Sequence, residues 1–147
     1  MATPMSVSIV SAEEELWRGE AEMVVARSPE GEFAILHNHI PFLAALVPGR
    51  VSIVTGSDRT DYFVSGGFLE ASKGETGAAG GGDHDYHVIV LADDAEDLGQ
   101  IDAAEARRRL EEARAEAAET QDERAEARMR IERARAELAE SGRGPQT

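Results

Sequence analysis

The sequence predicts an N-terminal all-β domain, a sandwich or barrel, followed by a helical arm. Three observations carry that prediction. Up to about residue 92 the apolar residues come in short, β-branched runs separated by Pro, Gly, Asn and Asp. Those runs, roughly nine of them, recur at spacings near ten residues, as in antiparallel β domains. From Asp102 to Ser141 there is neither Gly nor Pro, and Ala, Glu and Arg dominate, all good helix formers.

The strands follow in order. "SVSIV" (6–10) and "RVSIVT" (50–55) alternate, one face apolar and the other polar, whereas "EMVVAR" (22–27) and "VIVLA" (88–92) are continuous apolar runs. Between them "PEGEFAILHNHIPFLAALVPGRV" (29–51) holds a tight turn, a loop with two histidines and a Pro-Gly turn. Its apolar pieces are too short for helices. Pro29-Glu30-Gly31, Pro48-Gly49, Gly56-Ser57-Asp58 and Gly66-Gly67 supply fixed or positive φ where the chain reverses. "GETGAAGGGDHDYH" (74–87) reads as a flexible, low-complexity loop between two strands.

The arm begins at Asp102, a helix N-cap with Glu105 placed for a capping box. Ala103, Ala106, Leu110, Ala113 and Ala117 recur at helical spacing, as do Ala127, Ile131, Ala134 and Leu138. Thr120 with Glu123 offers a second box, so two helices in a hairpin and one helix of about 40 residues are both open. Stripes built mostly of alanine bury little area, and at about 25 cal/mol per Å² a hairpin held by them should open at low cost. A solvated tail and a bistable arm both fit.

Composition excludes several classes. The net charge is −14, of which −12 falls in residues 1–100, and an acidic domain repels nucleic acid and anionic lipid. There is no cysteine, no apolar run long enough to span a bilayer and no signal-peptide pattern at the N-terminus; a cytoplasmic protein is expected. P-loop, Rossmann, nucleophile-elbow and zincin motifs are missing. "HNH" (37–39) lacks a third metal ligand, and Asp83, Asp85 and His87 have strand-face metal spacing but adjoin a glycine run. Neither catalysis nor a metal or cofactor is expected.

Taken together, "SAEEELWRGEAEMVVARSPEGEFAILHNHIPFLAALVPGRV", "YFVSGGFLEAS", "VIVLADDAE" and "IDAAEA" resemble the epsilon subunit of the F-type ATP synthase over nearly all of residues 6–140. The resemblance implies a β-sandwich of about ten strands (1–95) and a C-terminal two-helix antiparallel hairpin with a short disordered tail (96–147). It implies a non-catalytic rotor subunit of a proton-translocating bacterial synthase, peripheral on the cytoplasmic face of the cell membrane. The sandwich would join the gamma subunit to the c-subunit ring, with Glu32 touching the ring and Ser11, His39 and Ala44 turned toward gamma.

The arm would fold beside the sandwich or extend into the catalytic head and block hydrolysis. There Arg124, Arg128 and Arg135 would meet the catalytic beta subunits beside alpha. Some members bind ATP through Ile/Leu-Asp-x-x-Arg-Ala. Here Ile101, Asp102 and Ala106 keep the pattern, but Glu105 replaces its arginine. A carboxylate in that place repels phosphate, so tight nucleotide binding is not expected, and Arg107 would compensate only with a changed geometry. The other reading from the residues is a free-standing β-sandwich adaptor whose helical tail dimerises as a coiled coil.

Overall fold

In a computed structural model, residues 3–74 and 85–141 are described. Ten strands come first: β1 (Met5–Val10), β2 (Glu15–Ala21), β3 (Met23–Ser28), β4 (Gly31–Leu36), β5 (Phe42–Leu46), β6 (Gly49–Thr55), β7 (Asp58–Val64), β8 (Gly67–Lys73), β9 (Tyr86–Ala92) and β10 (Ala95–Asp97). They form two five-stranded sheets, ordered β2-β1-β9-β8-β5 and β10-β7-β6-β3-β4. Among the described residues only β1 and β9 pair in parallel; the other pairs are antiparallel. The sandwich, rather than the barrel, is the solution adopted. The expected division between residues 95 and 96 falls inside β10.

Side-chain alternation explains the layering. Met5, Val7 and Ile9 of β1 and Tyr86, Val88 and Val90 of β9 point inward from the first sheet. Val24 of β3, Ile35 of β4 and Ile53 of β6 meet them from the second. Gly67 is indispensable to this packing. Its φ is +130°, and a Cβ there would collide with the Leu91 carbonyl of the neighbouring strand.

The arm is two helices, α1 (Ala103–Thr120) and α2 (Glu123–Ser141). Asp102 caps α1 by accepting from the Ala104 amide at 2.9 Å. The expected capping box is only half formed, because Glu105 bonds to Arg135 instead. The break between the helices differs from the Thr120/Glu123 box as well. Gln121 takes a left-handed conformation (φ 53°), its amide closing on Ala117 O. Asp122 then accepts from the Ala125 amide at 2.8 Å, while the Thr120 hydroxyl turns back to Glu116 O. No breaker residue is needed, since Gln tolerates this single strained position at modest cost.

The helices run antiparallel, with Arg107 near the start of α1 reaching Glu140 near the end of α2. They dock on the outer face of the second sheet, where Phe63 of β7 clusters with Leu98, Ile101, Ala106, Leu110, Ala136 and Ala139. The α1 stripe is buried as the spacing predicts at Ala106, Leu110, Ala113 and Ala117, with Ala103 half-buried at the helix start. The α2 stripe is not: Ala127, Ile131, Ala134 and Leu138 are only half-buried, and the buried positions are Ala125, Glu132, Arg135, Ala136 and Ala139. Two charged residues lie inside, so the interface is not the weak alanine seam that the sequence suggests. No described helix is long and apolar enough to cross a membrane. The glycine-rich stretch lies mostly outside the described residues, as do residues 142–147.

Candidate functional site

Two features stand out: a charged cluster that joins the arm to the sandwich, and an apolar outer face on the first sheet. In the cluster, Arg135 of α2 donates through Nε and Nη2 to both carboxylate oxygens of Glu96 on β10, at 2.7 and 2.9 Å. Its Nη1 donates to Glu105 of α1 at 2.8 Å. The Arg135 side chain is 5% exposed, Glu96 37% and Glu105 32%. Beside it Arg109 of α1 donates to the buried Glu132 of α2 at 2.7 Å and lies 3.5 Å from Glu105.

The electrostatics follow from this geometry. The hydrogen bond from Arg135 chiefly holds the Glu105 carboxyl below its ordinary range; burial opposes it, and the charges of Arg135 and Arg109 assist. The bond to Glu96, with that to Glu105, holds the Arg135 proton more tightly than usual despite burial. An exposed ion pair contributes about 0.2–1 kcal/mol and breaking a fully buried one costs about 3–5 kcal/mol; a buried arginine between half-exposed carboxylates falls between.

The arm arginines therefore divide. Arg135 is engaged in the cluster, Arg128 donates to Glu116 of α1 at 2.5 Å, and Arg124 is exposed near the start of α2. Ile101 and Ala106 are buried in the hairpin cluster and the Asp102 carboxylate is occupied in capping. The positions kept from the nucleotide motif thus serve the fold.

The second feature is a row across the first sheet in which Ala45, Phe68, Leu91 and Val10 are successive register partners. Leu43 and Ile89 flank it, both opposite Glu70. Leu43 is 66% exposed, Phe68 52% and Leu91 48%, a contiguous apolar area of the kind that marks an interaction site. Ser11 sits just beyond Val10, where its hydroxyl accepts from the Glu13 and Glu14 amides. Ala44, on edge strand β5, stands opposite Leu69. Sequence reasoning singled out Ser11, His39 and Ala44 but missed Leu43, Phe68 and Leu91. The apolar residues on both faces of β9 were the available signal.

"HNH" is a turn rather than a metal motif. Asn38 takes φ 69°, which Asn tolerates. His37 pairs with Asp85 at 2.9 Å, and His39 Nδ1 donates to Ile40 O at 2.8 Å. Tyr86 OH donates to the His39 carbonyl at 2.5 Å, so the loop is tied to β9. His87 lies buried in β9 opposite Ser6 and Ser72, and Asp83 is outside the described residues. Among the described residues no three His, Asp or Glu side chains are grouped to hold a metal ion.

Glu32 is the second residue of β4, exposed and opposite Arg27. β4 runs from there toward the histidine loop, so Glu32 and His39 occupy opposite ends of the sandwich. Glu32, Arg27 and Arg50 line a cleft of about 320 Å³ with Glu137, Leu138 and Ser141 of α2.

Comparison with known proteins adds the following. The family model described as ATP synthase, Delta/Epsilon chain, beta-sandwich domain matches residues 4–77. The chain is 40% identical over 116 residues to the ATP synthase epsilon chain of Hydrogenovibrio crunogenus, covering 77% of this chain and 72% of that one. It is 36% identical over 114 residues to the ATP synthase epsilon chain, sodium ion specific, of Propionigenium modestum, covering 78% and 74%. A chain in the cryo-EM structure of the Euglena gracilis mitochondrial ATP synthase, OSCP/F1/c-ring, shares the fold with a TM-score of 0.71 at 23% identity, covering 91% of this chain and 80% of that one.

Proposed function

The chain belongs to the ATP synthase epsilon chain family, and from that membership we propose that it is the rotor subunit that joins gamma to the c-subunit ring in a proton-translocating F-type synthase. It would be peripheral on the cytoplasmic face of the cell membrane and would carry no catalytic residue. The observation that carries this reading is the difference between the two outer faces of the sandwich. The second sheet is covered by the arm through Phe63, while the first exposes Leu43, Phe68 and Leu91, apolar area suited to a permanent partner. Gamma covers that face in this reading, with Ser11, His39 and Ala44 at its margins. Glu32, on the other sheet, meets the polar loops of the ring. Rigid mounting suits torque transmission, and the bond from Tyr86 to the His39 loop supports it.

The arm is the regulatory part. Folded, it leaves the catalytic head free; extended, it places Arg124, Arg128 and Arg135 against the acidic surface of the catalytic subunits and stops hydrolysis. It acts without nucleotide, because Glu105 stands where a phosphate-binding cation would be needed. The test compares ATP hydrolysis by the catalytic complex reconstituted with the full chain and with a version ending at residue 100. A severalfold rise on truncation supports the inhibitory arm. An unchanged rate with both forms bound confines the function to the sandwich, and failure of both to bind sinks the rotor reading. Proton coupling is tested separately, by ATP-driven acidification in sodium-free buffer.

A further inference from the structure

We propose that Glu96, Arg135 and Glu105 form a two-stage latch that holds the arm folded without a ligand, Glu105 supplying from within the chain the negative charge that a bound anion would otherwise provide. The proposal rests on the regulatory reading of the arm above and names what controls it. Three elements meet at one guanidinium: α2 brings Arg135, β10 brings Glu96 and α1 brings Glu105. The two carboxylates therefore hold different joints. Glu96 ties α2 to the sandwich, in a bidentate geometry that an arginine fork favours. Glu105 ties α2 to α1. Lifting the hairpin as a unit breaks only the first bond, whereas drawing the helices apart breaks the second together with the Arg107–Glu140, Arg109–Glu132 and Arg128–Glu116 pairs. An extended arm needs both broken, and release can proceed in two steps.

The charge balance explains why no ligand is required. Glu96, Glu105 and Glu132 face Arg109 and Arg135, all linked by the contacts above. The cluster is thus slightly negative already, and an added phosphate would meet net repulsion. A cation at position 105 would invert this, leaving the cluster net positive and favourable to an anion even with Glu96 and Glu132 in place. The same guanidinium cannot serve the latch and an extended-state partner at once. Arg135 in the folded arm is therefore unavailable to the catalytic head, and the two arm positions exclude each other.

The test uses spin labels on the full chain, which has no native cysteine to interfere. One pair, on Ser57→Cys and Ala118→Cys, reports arm against sandwich; another, on Glu112→Cys and Arg130→Cys, reports α1 against α2. Glu96→Gln should raise the open-to-folded ratio of the first pair about tenfold, near the lower end of what a charged hydrogen bond contributes, and leave the second pair unchanged. Glu105→Gln should lengthen the second pair. Magnesium-ATP should shift neither distance in the unmodified latch. Wild-type distances in both variants, or a shift on adding ATP, would overturn the latch. If the variants open the arm yet hydrolysis by the reconstituted complex is not lowered, the latch stands and the inhibitory reading fails.

Discussion

Leu110→Ala tests how the arm is held to the sandwich. Leu110 is 1% exposed and packs with Phe63, Leu98 and Ile101 among Ala106, Ala136 and Ala139. Truncating a buried leucine costs about 2–5 kcal/mol, depending on how far neighbours relax into the space. Three of the neighbours here are alanines, which have no side-chain torsion with which to fill it. The loss should therefore sit in the upper half of that range, about 3.5–5 kcal/mol, or roughly three to four orders of magnitude in the docking equilibrium. Hydrogen exchange measures this directly. Amides in the middle of α1 and α2 should lose that much protection, whereas β1, β8 and β9, on the far sheet, should keep theirs. A loss under fivefold in the helices, or an equal loss in the far sheet, would refute the view that this small cluster anchors the arm independently of the main core.

Three further outcomes follow. Gly67→Ala combines φ +130° with a backbone collision and should lower sandwich stability by about 3 kcal/mol or more in thermal unfolding; Gly31→Ala, at φ +129° but in open space, should cost only about 1–2 kcal/mol of backbone strain. Phe68→Asp should leave the melting temperature of the isolated chain nearly unchanged, because Phe68 is half-exposed, yet weaken binding to gamma about tenfold or more in calorimetry by placing a charge in an apolar contact. Acid should loosen the arm. The Glu105 carboxyl titrates below its ordinary 4.5 in the folded arm, so the released state binds more protons in acid. Its contribution is complete above 4.5 and is lost as pH falls through the lower folded value. The α1-to-α2 distance followed from pH 6 downward should lengthen in that window, and Glu105→Gln should remove that component.

Features written in local chemistry were legible from the residues alone. Alternating and apolar runs marked β1, β3, β6 and β9, Gly66 and Gly67 marked the reversal before β8, and Asp102 marked the start of α1. In each case the signal and its consequence lie within a few residues of one another. Where distant segments meet, the sequence was silent or misleading. Thr120 and Glu123 spell a capping box, yet Asp122 caps α2, because left-handed Gln121 fixes where the chain turns. Glu105 spells the other half of a box at Asp102 and is drawn away by Arg135, thirty residues on. The α2 stripe of Ala127, Ile131, Ala134 and Leu138 is rotated half out of the interface because the Arg135 and Glu132 ion pairs claim the buried face. An arginine and two glutamates read alike on a solvated helix and in a latch; only the arrangement of β10, α1 and α2 around one guanidinium, with water removed, separates a surface charge from a joint that decides where the arm lies.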